Sequence, residues 1–192
     1  MYRSTVIATL LGLSIVSSIL SPTLTDIQAQ ISMTGSEAIL NGSPGFGAPL
    51  NEQETVDFLT TGKLNIHLGT LDEKGHPNIH PAWYSYDPVN NKIYVETSKQ
   101  AKKTYNLRKN GNVYFCIDDP NPPYKGVRGK GTAKIHEDIR FNVPITEKIV
   151  VKYLGNLEHP MAQALLDMQK KGQSVILEIT PKYYSTWDDS KQ

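Results

Sequence analysis

The chain has 192 residues, enough for one domain with a buried core and an additional terminal segment. Its formal net charge is only +1, and a single local lysine cluster is its one basic feature, which argues against a nucleic-acid-binding protein. Cys116 is the single cysteine, so an intrachain disulfide and a cysteine-based zinc site are excluded. Because Cys116 lies in the apolar run 113–117, we expect a buried structural thiol rather than a nucleophile.

The first thirty residues differ in kind from the rest. Arg3 precedes an apolar run at 5–20 and a polar tail, which is the layout of a signal peptide or a short membrane anchor. Ile27-Gln28-Ala29 is a poor cleavage site, and Met33 directly precedes polar sequence, so residues 1–30 are alternatively an artefactual extension from a misplaced start codon. Location therefore stays open, with a cytoplasmic or membrane-associated protein slightly favoured over an exported one.

Residues 31–50 are rich in Gly, Ser, Pro and Ala and predict a flexible arm, which leaves 51–192 as the folded domain. A short capped helix is expected from Asn51 to Gly62. Alternating or apolar runs then predict six strands, at 64–68, 77–86, 92–97, 113–117, 124–135 and 174–180. Two helical patterns precede the last strand; their apolar faces carry Ile145, Ile149 and Tyr153, then Met161, Leu165 and Met168. The fold class is therefore mainly β (α+β), a six-stranded antiparallel barrel with short peripheral helices.

The junction between the third strand and the helix that follows it is the most informative segment. Thr97 and Gln100 have the spacing of a capping box and predict a helix that begins near residue 98 or 99. The first turn then carries three lysines, Lys99, Lys102 and Lys103. Cations are unfavourable beside the positive end of the helix dipole, so the pattern indicates a bound anion such as phosphate. The alternative is a solvated basic face.

The order of these segments resembles the pyridoxamine 5′-phosphate oxidase-like split β-barrel family, in particular its flavin- and deazaflavin (F420)-dependent branch. The resemblance covers residues 52–187. Its motifs are the hairpin at 68–77, Asn78-Ile-His-Pro-Ala-Trp83, Tyr94-Val-Glu-Thr-Ser98 with the basic helix, the hairpin at 118–133, and the closing segment at 179–187.

The resemblance implies a split barrel, a homodimer and a cofactor groove between subunits. It places Lys103 and Lys102 on the cofactor phosphate with Thr97 and Ser98 nearby. It sets four residues beside the flavin-type ring, namely His80, Pro81, Ala82 and Trp83. It also implies that Lys125 or Arg128 reaches in from the partner subunit.

Two positions bear on which cofactor the resemblance implies. The F420 branch often has Arg or Ser before the lysine and Arg ahead of the Asn-Leu pair, whereas this chain has Ala101 and Tyr105. FMN is therefore slightly preferred over F420. The expected activity is an oxidoreductase acting on a small organic substrate, with the hydride chemistry supplied by the cofactor. A non-catalytic flavin-binding protein and a haem-binding or haem-degrading split barrel remain alternatives.

The remaining polar residues do not predict a metal site or an acid–base pair in addition to the phosphate site. The five histidines lack the spacing that sets two imidazoles on one helix face, so no metal site is expected. The pair Asp118-Asp119 is interpreted as a turn opener ahead of prolines. The sequence offers no evident general acid or base, and it leaves the substrate undefined.

Overall fold

The computed structural model describes residues 39–42 and 47–191, so the predictions for residues 1–30 lie outside the described residues. The strands are β1 (Ile39–Gly42), β2 (Ile66–Leu71), β3 (Pro77–Ala82), β4 (Tyr84–Asp87), β5 (Lys92–Ser98), β6 (Asn112–Asp119), β7 (Lys125–His136) and β8 (Ser174–Asp188). The helices are α1 (Glu52–Thr61), α2 (Lys102–Lys109), α3 (Ile139–Leu154) and α4 (Pro160–Lys170). None of these helices is long and apolar enough to cross a membrane.

One curved sheet organises the described chain. Its strand order is β3-β2-β6-β7-β8-β5-β4, with every neighbouring pair antiparallel, and β1 pairs with β8 in parallel. The two ends of this path, β3 and β4, are consecutive in the chain and separated only by Trp83. The split-barrel prediction is confirmed.

The predicted count of six strands is wrong for two reasons. The segment expected as one strand at 77–86 breaks at Trp83 into β3 and β4, which pair with different neighbours. Residues 39–42, within the segment for which the sequence predicts an arm, form β1 along β8. The last strand also continues past residue 180 to Asp188. Pro181 has no N–H to donate to a neighbouring strand, but it lies opposite an irregularity in the pairing, a register shift between Lys130 and Gly131. The strand therefore passes through Pro181 without losing a regular hydrogen bond.

The main core fills the inside of the sheet. It is built from the inward residues of successive strands, among them Ile66, Leu68, Ile93, Phe115 and Leu177, all at most 1% exposed. A second, smaller cluster lies on the other face of β5 and β8, where α3 places Ile145 and Ile149 against Ile176. The predicted apolar face of α3 is therefore confirmed, and the space beside this smaller cluster is where the candidate site lies.

The helix predicted to begin at residue 98 or 99 begins at Lys102 instead. Ala101 occupies the N-cap position and makes no side-chain capping hydrogen bond, so the expected capping box is absent. Residues 98–101 form a turn in which the Ala101 N–H donates to the Ser98 carbonyl over 3.1 Å. The Thr104 hydroxyl donates to the same carbonyl over 2.8 Å. These two bonds fix the turn and delay the helix by one turn, so Lys99 falls outside it.

Candidate functional site

A cavity of about 500 Å³ lies between the sheet and the helices α3 and α4. One wall comes from the end of β3 and from the β5–α2 junction, and the other from the two helices. Its lining residues are Asn65, Pro81, Ala82, Trp83, Glu96, Thr97, Ser98, Lys103, Thr146, Ile149, Val150, Met161, Leu165 and Met168. Six of the ten predicted cofactor-binding residues are among them.

Lys103 provides the positive charge of this cavity. The residue is only 9% exposed, so Lys103 does not belong to the solvated basic face that the sequence leaves open as the alternative. Burial lowers the pKa of its ammonium group, and the Glu96 carboxyl acts weakly in the opposite direction. Lys103 forms no ion pair with any residue of the described chain. A desolvated and unpaired ammonium group at a cavity wall favours an anionic ligand.

The backbone around Lys103 reinforces that preference. α2 begins shortly after β5 and its first turn lacks a side-chain cap, so its first N–H groups have no capping side chain as partner. Thr97 and Ser98 line the same cavity, and Ser98 shares the strand face of Glu96, so its hydroxyl lies on the cavity side of β5. A hydroxyl group, free helix N–H groups and one ammonium group together fit the oxygens of a phosphate.

Trp83 occupies the other end of the cavity. Its ring stacks on Tyr153 of α3 with the centroids 4.8 Å apart and the planes 5° from parallel. Tyr153 is held in turn, since its hydroxyl donates to the Leu64 carbonyl over 2.6 Å and accepts from the Tyr84 N–H over 3.3 Å. The break between β3 and β4 thus presents a fixed indole at the cavity wall, beside Pro81 and Ala82. This end suits a flat ring.

The two helices supply an apolar cover. Ile149 and Val150 come from α3, and Met161, Leu165 and Met168 come from α4. The helical periodicity of the sequence predicts that the three α4 residues share one apolar face. In the structure the buried residues of α4 are Ala162, Leu166 and Gln169, and Met161 is 51% exposed. The predicted face of α4 therefore lines the cavity rather than the core.

Glu96 is the one carboxyl group of the cavity wall. Its Oε1 atom is buried and has no hydrogen-bond partner in the described chain. Burial raises its pKa, partly offset by a side-chain hydrogen bond with Ser174 and by the charge of Lys103. Glu96 is not among the site residues predicted from the sequence. The feature that could have indicated it is its position on β5, on the same strand face as Tyr94 and Ser98, which the helices cover.

Four predicted residues lie outside this cavity. His80 faces inward from β3, and its pKa is lowered by burial and by Lys103 nearby. Lys102 is exposed and sits 5.1 Å from the centroid of the Tyr105 ring. Lys125 pairs with Asp188 over 2.8 Å and lines a second cavity of about 460 Å³.

Arg128 lies on the outer face of β7, opposite Cys116 of β6. Cys116 is half-buried, so the prediction of a buried thiol is only partly correct. Burial raises the pKa of its thiol to about 11, as expected for a thiol without a role as nucleophile. Within residues 39–42 and 47–191, no three His, Cys, Asp or Glu side chains are grouped as metal ligands.

Comparisons with known proteins identify the family. The family model for pyridoxamine 5′-phosphate oxidase matches residues 52–188. No curated protein matches the chain.

Similar solved structures include a conserved hypothetical protein, Rv2991, from Mycobacterium tuberculosis, with 22% identity, a TM-score of 0.65 and coverage of 78% of this chain and 90% of that one. Another is an F420 reductase, with 24% identity, a TM-score of 0.53 and coverage of 67% of this chain and 94% of that one. A third is HutZ, a haem storage protein from Vibrio cholerae, with 14% identity, a TM-score of 0.54 and coverage of 69% of this chain and 91% of that one. At these identities the likeness concerns the fold, and the family model, which spans most of the chain, establishes that this protein belongs to the pyridoxamine 5′-phosphate oxidase family.

Proposed function

We propose that the protein is an oxidoreductase that uses a flavin-type cofactor, FMN in preference to F420, to act on a small organic substrate. The observation that carries the proposal is Lys103. The residue is 9% exposed and lies in the uncapped first turn of α2, and its ammonium group has no ion pair in the described chain. Such a site is suited to a ligand that ends in phosphate, and the same cavity continues to the stacked ring of Trp83.

The residues of the cavity fit the parts of FMN in order. Lys103, Thr97 and Ser98 would hold the phosphate, and the backbone from Pro81 to Trp83 would lie along the ring. Burial of this end under α3 and α4 would exclude bulk water, which strengthens each polar contact. The cofactor supplies hydride transfer, while the protein supplies binding, orientation and electrostatics. The apolar cover of α4 would accept a largely hydrophobic substrate.

The functional unit that we propose is a homodimer. Ile79 and Tyr114 lie on the outer face of the sheet, on either side of Gly69, and are 66% and 52% exposed. Pro81 belongs both to this face and to the cavity wall, so a partner seated on the face would border the cofactor site. Arg128, on the same face, makes no ion pair in the described chain and is the residue best placed to approach a partner's cavity.

The proposal is tested by incubating the purified protein with FMN, with F420 and with haem, removing free ligand, and recording the absorption spectrum. We expect a retained flavin band with FMN. Turnover of the bound cofactor with a reductant and an electron-accepting substrate then separates an enzyme from a carrier. Retention of haem alone, or of none of the three, would contradict the proposal.

A further inference from the structure

The carboxyl group of Glu96 has no role in the function proposed above. Glu96 alternates along β5 with the buried core residues Val95 and Thr97, so its side chain points to the opposite face, under α3. There it reaches the cavity wall. Its Oε1 atom is buried without a hydrogen-bond partner in the described chain. A bare carboxylate oxygen in this position is unfavourable, because a buried charge without a hydrogen-bond partner loses its hydration and gains nothing in return.

The contacts of Ser174 indicate how this cost is avoided. Gln169 is fully buried, and its Nε2 donates to the Ser174 carbonyl over 3.4 Å, which fixes the orientation of the amide. The Ser174 hydroxyl then donates a hydrogen bond to Gln169 Oε1 over 2.9 Å. The single proton of the Ser174 hydroxyl is thus directed at Gln169, and the contact of Ser174 with the neighbouring Glu96 carboxyl lowers the pKa of Glu96 less than burial raises it. Protonation of Glu96 removes the negative charge that its unpartnered Oε1 would otherwise share in a buried position.

The charged groups around Glu96 do not force it to ionise. Lys103 of α2 borders the same cavity but forms no ion pair with Glu96, since no such contact falls within 4.0 Å. His80 of β3 lies near Lys103, and burial lowers its pKa, which favours the neutral imidazole. The side chains that α3 and α4 bring to the cavity are Thr146, Ile149, Val150, Met161, Leu165 and Met168, none of which titrates. Burial is the main influence on Glu96, and it raises the pKa of the carboxyl.

We infer that Glu96 is a catalytic residue, the acid that delivers the proton when the substrate is reduced. This inference rests on the proposed function, which places cofactor and substrate in the same cavity. In the step, the carboxyl O–H bond breaks, its proton bonds to the substrate atom that gains negative charge, and the O–H electron pair stays on Glu96. The two electrons for the reduction come from the reduced flavin-type cofactor, and water restores the carboxyl proton.

The test compares Glu96→Gln with wild type and with Glu158→Gln, an exposed carboxyl that does not line the cavity. The glutamine keeps the shape of the neutral carboxyl but cannot give up a proton in the same way. We expect its turnover to fall by about a hundredfold to ten-thousandfold, the range typical of general acids, with little change in FMN affinity. Glu158→Gln should behave as wild type. Wild-type turnover should decline as pH rises through the Glu96 pKa, and Glu96→Gln should lack that decline.

A second readout does not depend on turnover. The infrared C=O band of a protonated carboxyl should be present in the cofactor-free wild type at neutral pH and in Glu158→Gln, and absent from Glu96→Gln. If Glu96→Gln fails to fold, Glu96→Asp replaces it and should retain the band but turn over more slowly than wild type. An unchanged band in Glu96→Gln, or wild-type turnover and pH profile in that variant, would overturn the inference. Failure of wild type to retain a flavin would instead overturn the proposed function, while the infrared band still reports on Glu96.

Discussion

Replacing Lys103 with methionine should weaken the binding of FMN without unfolding the protein. Methionine keeps most of the volume of the buried side chain, which is 9% exposed, so the helix start stays packed. Removing a desolvated charge should leave the free energy of unfolding of the apoprotein unchanged or slightly higher. A charge-assisted hydrogen bond contributes about 1.5–3 kcal/mol, so the Kd for FMN should rise by about tenfold to a hundredfold.

The assay is a titration followed by flavin fluorescence, run with FMN and with riboflavin. Riboflavin lacks the phosphate, so its Kd should be nearly the same in wild type and in Lys103→Met. Lys109→Met, at the exposed far end of α2, is the matched control and should bind FMN as wild type does. An equal loss of FMN and riboflavin binding would mean that Lys103 acts through the fold, and no loss of either would place the phosphate elsewhere.

Three further predictions concern stability and assembly. Burial lowers the pKa of Lys152 to about 8 from its ordinary 10.5, so the unfolded state binds the proton more tightly between these values. Stability in urea should therefore rise with pH from about 8 toward 10, and more steeply in wild type than in Lys152→Met; equal slopes in the two proteins would refute this. Ile79→Arg should convert the dimer to a monomer in light scattering, whereas Val89→Arg, exposed but in the β4–β5 turn, should not; a monomeric wild type would exclude the proposed assembly. Gly129→Ala should lower the free energy of unfolding by about 1–3 kcal/mol, because its Cβ would lie 2.3 Å from a carbonyl oxygen of β8. Lys134→Ala on the same strand should be neutral in the same urea titration, and equal stability of both variants would contradict the expected clash.

The sequence was sufficient to predict the barrel because its strands carry local patterns. Alternation along β2, β5 and β6 places one face inside, and short polar turns connect neighbouring strands. Local patterns could not predict the break at Trp83, because it depends on β3 and β4 pairing with strands distant in sequence. The same limit applies to β1, whose partner within the described residues is β8, far away in sequence.

The geometry of the candidate site is predictable from the sequence where the local backbone defines it, and not where tertiary packing defines it. The strand–helix junction with Lys103 is a local feature, and the sequence identifies it, although the helix begins later than the spacing of Thr97 and Gln100 predicts. The burial of Lys103 and the exposure of the α4 face to the cavity depend on how α3 and α4 pack over β5. Helical periodicity shows that Met161 and Met168 share a face, but it cannot show whether that face meets the core or a ligand.

A crystal structure of the FMN-bound protein would test the central claim most directly. The account predicts FMN in the cavity under α3 and α4, with its phosphate within hydrogen-bond distance of Lys103 Nζ and the first N–H groups of α2, and its ring beside Trp83. A phosphate bound away from the start of α2, or a ring outside this cavity, would contradict it.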